Sequence, residues 1–97
     1  MAGADKDKGD KKKIEYKGQT AEIVMMGKRE KIAGFRGEVF VVVVRYGPRE
    51  KAKYDVVPDS TSPADVDDLP KEQTFDNLGQ AMTHALEMDR NKKQWKE

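Results

Sequence analysis

Val39-Phe40-Val41-Val42-Val43-Val44 is six consecutive β-branched or aromatic residues, and no other feature constrains the fold as strongly. A strand that alternates apolar and polar side chains has one dry face, whereas this run is apolar on both. It predicts a central strand from Glu38 to Tyr46 with two faces in need of cover. The chain, at 97 residues, offers one good amphipathic helix, enough for one face. The other requires barrel closure, a second subunit or a ligand.

A core of this size is marginal without cross-links. With no cysteine, disulfides, thiolate nucleophiles and zinc-thiolate clusters are excluded, so self-association is a natural source of further burial. No apolar run reaches the ~18 residues of a membrane span, and the N-terminus lacks the apolar segment of a secretory signal. A cytoplasmic protein with no membrane partner is the expectation.

The net charge of +1 conceals an asymmetry: residues 1–53 hold 14 Lys and Arg against 8 Asp and Glu, and residues 54–97 hold 5 against 10. Such a chain can present a basic surface to an anionic partner or pair with a copy of itself.

Residues 1–13 mix Gly, Ala, Asp and Lys and are expected to form a disordered charged tail. A single small domain is expected over 14–97. From Ile14 to Val57, period-two patterning broken by glycines predicts strands near 13–17, 20–26, 29–36, 38–46 and 50–57. The second also fits a short helix capped by Gly27. A three-residue Gly47-Pro48-Arg49 loop would pair Tyr46 with Glu50. That register sets Phe40, Val42, Val44 and Tyr46 with Ala52, Tyr54 and Val56 on the helix-covered face. It leaves Val39, Val41 and Val43 beside Arg45, Lys51, Lys53 and Asp55, an apolar stripe edged mainly by cations and a candidate interface. A one-residue change in the loop exchanges the faces.

Residues 58–73 read as an exposed acidic loop, and Asp65, Asp67 and Asp68 lack the glycine and terminal glutamate of a calcium loop. A helix is expected over 76–91, capped by Thr74 or Asp76. Its apolar stripe is Leu78, Ala81, Met82, Ala85 and Leu86, and Trp95 serves as a packing anchor beyond its end.

The inventory for catalysis is thin. His84 is the single histidine and falls off the helix stripe. No phosphate-binding glycine loop, acyl-transfer triad or metal-ligand cluster is present, so no enzymatic activity, cofactor or metal is expected. Gly34-Phe35-Arg36-Gly37 matches the GxxG string of KH domains, but that loop joins two helices and this one precedes a strand. Arg36-Gly37-Glu38-Val39-Phe40-Val41 partly resembles the RNP1 strand of RNA-recognition motifs, with Glu38 where a stacking aromatic belongs.

The composite expectation is an α+β domain: a bent antiparallel meander of four to five strands with one C-terminal helix packed on one face. Its expected function is that of a non-enzymatic protein-interaction module, a homo-oligomer or a binder of another protein, using Val39, Val41 and Val43. The alternative is a single-stranded nucleic-acid-binding module that uses Arg36, Arg45, Arg49, Lys51 and Lys53.

Overall fold

The computed structural model describes residues 12–96. The expected tail lies outside these residues, apart from Lys12 and Lys13, which belong to the first strand. The elements run β1 (Lys12–Tyr16), β2 (Gln19–Met26), β3 (Glu30–Lys31), β4 (Glu38–Tyr46), β5 (Lys53–Ser60), β6 (Gln73–Phe75) and α1 (Leu78–Arg90). The fold is α+β, one antiparallel sheet in the order β1-β2-β4-β5-β6, with β3 pairing the start of β4. Among the described residues no helix is long and apolar enough to cross a membrane.

Segment 20–26 is a strand, joined to β1 by a two-residue turn at Lys17 and Gly18. Both have positive φ, 51° and 82°, as a type I′ hairpin requires. Lys17 is the one described non-glycine residue in that region, and its ammonium group is held by Glu72 and, at 3.4 Å, by Asp55. Of the strand expected over 29–36, only Glu30 and Lys31 pair. Ile32 and Phe35 instead turn inward and pack with Val39, Leu69 and Trp95.

The β4–β5 register departs from expectation in a way that decides both faces. Residues Arg49–Lys51 form a 3-10 turn, which lengthens the connection and pairs Tyr46 with Lys53 instead of Glu50. A shift of three residues is odd, so the faces exchange. The helix covers Val41, Val43 and Val56 through Ala81 and Ala85, with Tyr54 and Phe75 alongside. Phe40, Val42 and Val44 lie on the opposite face with Ala21, bordered by Ile14, Tyr16, Ile23, Tyr46 and Val57. A bulge at Val24 breaks the β2–β4 register and lets Val24 and Met25 both reach the helix-side core.

The second face is covered by curvature. Tyr16 of β1 and Tyr46 of β4 bring their rings within 5.5 Å, and Arg29 lies over the Phe40 ring at 5.3 Å. The sheet thus rolls toward its own concave face, a partial form of barrel closure.

Asn77, rather than Thr74 or Asp76, caps α1 by accepting from the Gln80 N–H at 3.0 Å. Only the small residues of the expected stripe, Ala81 and Ala85, are fully buried. They let the helix sit close to the sheet, and the larger side chains fall to its flank. After α1, Lys92 is buried and ties the C-terminal segment to the β2–β3 connection, donating to the Lys28 carbonyl at 3.0 Å and pairing with Glu30 and Asp89. Trp95 meets Phe35 edge to face at 6.5 Å.

The segment expected as an exposed acidic loop is structured. β5 runs through Ser60, residues Pro63–Asp68 form a 3-10 helix capped by Ser62, and β6 occupies Gln73–Phe75. Asp65 is buried, accepting from the Arg36 and Gly37 N–H groups at 2.8 and 2.9 Å and from the Ser60 hydroxyl at 2.7 Å. It therefore latches the loop to the approach of β4.

Candidate functional site

Val39, Val41 and Val43 each have 0% exposure, which removes them as a contact surface. The physical reason is the register shift: Val41 and Val43 lie on the face that the helix covers, and Val39 lies beneath Phe35 and Trp95.

The basic candidates divide between two ends of β4. Arg36 precedes the strand, whereas Arg45, Arg49, Lys51 and Lys53 gather around its far end and the following turn. Two of these four are engaged within the chain. Arg45 pairs with Glu22 at 3.6 Å, and Lys53 pairs with Asp76 at 2.5 Å. Arg49 and Lys51 are exposed, with Glu50 between them. Tyr46 and Tyr54, adjacent in the register, occupy opposite faces of the sheet, so they form no shared stacking platform beside the cations.

Asp55, on the concave face, is 0% exposed; sequence reasoning placed it at the border of the valine stripe but assigned it no role. Its Oδ1 accepts from the Thr74 hydroxyl at 2.6 Å and the Tyr46 hydroxyl at 2.9 Å, and its Oδ2 from the Tyr16 hydroxyl at 2.5 Å. Burial pushes its carboxyl up, but the bonds from Thr74, Tyr16 and Tyr46 and the charge of Lys17 outweigh burial and hold it below its ordinary range. Burial and the bond to Asp55 push the Tyr16 hydroxyl up. A carboxylate with this many donors is saturated: it anchors β1, β4, β5 and β6 to one another and keeps no lone pair directed at a substrate. An aspartate inside the Tyr54-Asp55-Val56-Val57 strand was the available signal.

His84 is half-buried, with its ring 5.2 Å from Phe75. No group of three His, Cys, Asp or Glu among the described residues is placed to hold a metal ion. An open cleft of about 650 Å³ separates the end of β5 from the 66–72 segment, with Val57, Val66, Leu69 and Pro70 among its apolar walls.

The flank of α1 carries a different surface. Leu78, Met82 and Leu86 recur every four residues and share one side of the helix. Leu78 is 43% and Leu86 51% exposed, and Met82 is half-buried. Asp89, on the same side, approaches Gly27 at the end of β2, so this flank faces the bulged strand that bears Val24 and Met25. Sequence reasoning assigned these helix residues to the core. Met82 does pack against the core beside Ala81 and Ala85, whereas Leu78 and Leu86 are left largely exposed at its border.

Comparison with protein-family models, curated proteins and solved structures yields no match for this chain.

Proposed function

We propose that this chain is a non-enzymatic protein-interaction module that self-associates through the exposed flank of α1. The supporting observation is that Leu78 and Leu86 are exposed on either side of half-buried Met82, on a helix whose fully buried residues are alanines. Large apolar side chains left together on the surface of a small domain mark a contact site. A second copy suits the row. Two α1 helices packed antiparallel about Met82 set Leu78 against Leu86 of the second copy, twice by symmetry. The same arrangement brings exposed Arg90 near the second copy's Asp76 and opposes the helix dipoles favourably.

Light scattering coupled to size-exclusion chromatography tests the reading. The wild-type chain should self-associate in a concentration-dependent way, to a dimer or beyond. Leu86→Lys should raise the dissociation constant at least tenfold, about 1.4 kcal/mol, with unchanged circular dichroism. A wild-type chain that stays monomeric at millimolar concentration overturns the reading.

A further inference from the structure

Strand β1 ends the sheet, and its outer edge pairs with nothing among the described residues. A free edge offers a row of backbone donors and acceptors to any strand whose side chains fit. In β1 the side chains alternate: Ile14 packs on the concave cluster, while exposed Lys13 and Glu15 lie on the helix side.

Lys13 also ends a row of alternating charge that crosses the sheet. It is paired with Glu22 of β2, which is paired in turn with Arg45 of β4 and approaches its guanidinium at 3.6 Å. The row Arg45, Glu22, Lys13 therefore stops at the open edge on a cation, and the next position outward suits a carboxylate.

A second β1, laid antiparallel about Ile14, supplies one. Ile14 then opposes Ile14, and each Lys13 opposes Glu15 of the second copy, so the alternation continues across the boundary. The neighbouring symmetric registers fail, because centring on Lys13 or on Glu15 sets like charges directly opposite. Of these three registers only the Ile14-centred one is self-complementary in charge.

We infer that β1 is an edge-to-edge docking strand for β1 of a second copy, in the Ile14-centred register, giving one continuous sheet across two copies. This contact uses neither α1 nor its flank, so it stands or falls apart from the helix contact. A chain with both symmetric surfaces assembles beyond the dimer, into a closed tetramer or an open chain.

The test uses the full chain carrying Leu86→Lys, so that only the strand contact is read. Because the chain has no cysteine, Ile14→Cys introduces a single thiol. Opposed strand residues sit ~4.5–5.5 Å apart at Cα, within disulfide range. Mild oxidation should give a covalent dimer with Ile14→Cys and none with Gln80→Cys on the exposed helix surface. Sedimentation with Ile14 intact provides the second measurement. Glu15→Lys alone and Lys13→Glu alone should each weaken association at least tenfold, and an equal mixture of the two should restore it, because Lys13 and the new lysine then meet only carboxylates. Equal cross-linking at positions 14 and 80, or a mixture no more associated than either variant alone, overturns the inference. Reduction of the wild-type assembly to a strand-linked dimer by Leu86→Lys supports both readings, whereas a strand contact in a chain insensitive to Leu86→Lys removes the helix reading alone.

Discussion

The Tyr16 hydroxyl donates to Asp55 Oδ2 at 2.5 Å, although β2 and β4 lie between the strands that carry them. In a flat sheet, strands three positions apart are ~14 Å from each other, and their side chains stand parallel and do not meet. The bond therefore requires the sheet to roll, and the roll is what covers Phe40, Val42 and Val44. Removing the acceptor should cost more than removing one donor. Asp55→Ala strips the Tyr16, Tyr46 and Thr74 hydroxyls of their partner and should destabilise the fold by about 3 kcal/mol. Tyr16→Phe leaves the other donors in place and should cost about 1 kcal/mol. Urea unfolding followed by tryptophan fluorescence measures both, and equal losses would mean that Asp55 is no hub.

The same cluster sets how stability depends on pH. The Asp55 carboxyl is held below its ordinary value of 3.8, and buried Asp65 is shifted the same way, its burial outweighed by the Arg36 and Gly37 N–H groups and the Ser60 hydroxyl. Groups depressed in the folded state contribute stability above their unfolded values, and that contribution is lost as the pH falls through the folded ones. Tyr16 and Tyr46 are both raised, first by burial and then by bonding to Asp55. Their contribution is present below the ordinary value of 10.0 and is lost as the pH rises beyond it. The urea midpoint should thus be flat between about pH 5 and 9 and fall on both sides. Asp55→Asn should make the acid limb shallower and bring tyrosinate absorbance in at lower pH. Unaltered limbs in Asp55→Asn would detach the cluster from the titration.

At Gly37 the approach to β4 packs tightly against the acidic segment. A Cβ there would lie 2.6 Å from both the Ser62 nitrogen and the Thr61 hydroxyl oxygen, and the Gly37 N–H donates to Asp65. Since one of the two clashes is with backbone, Gly37→Ala should push the loop away and destabilise the fold by about 2 kcal/mol. Gly18 has open space around it, but its positive φ of 82° strains any side chain, so Gly18→Ala should cost about 1 kcal/mol without moving the loop. Amide exchange at Thr61 and Ser62 separates the two effects: it should accelerate in Gly37→Ala alone.

The fold class was legible because long patterns carry it: the valine run specifies a central strand, and the spacing of Ala81 and Ala85 specifies a helix that packs on it. The faces of β4 were not legible. They depend on whether the connection after Tyr46 has three residues or six, and the 3-10 turn at Arg49–Lys51 that decides this has no period of its own. β6 was missed because three residues carry no alternation, and what defines it is its pairing with Tyr54, Asp55 and Val56 of β5, with Thr74 bonded to Asp55. The Asp55 cluster draws on residues up to 58 positions apart, Tyr16 and Thr74 among them, which no local pattern connects.

The basic residues around the β4–β5 turn lead to the last expectation. Binding of single-stranded nucleic acid by Arg45, Arg49, Lys51 and Lys53 would require these cations to be free for phosphates, and each phosphate contact would add to the salt dependence. Arg45 and Lys53 already neutralise Glu22 and Asp76, and Glu50 and Asp76 line the hollow beside Lys51 and Tyr54. A phosphate entering there meets carboxylates as well as cations. The chain should therefore show no micromolar binding to a mixed-sequence oligonucleotide at physiological ionic strength in a fluorescence anisotropy titration. The double variant Glu50→Gln, Asp76→Asn, which frees Lys53 and removes two negative charges, should bind more tightly, with an affinity that falls steeply as salt is added. Tight, salt-sensitive binding by the unaltered chain, abolished when Arg45, Lys51 and Lys53 are all replaced with Glu, would establish a nucleic-acid surface where the ion pairs argue against one.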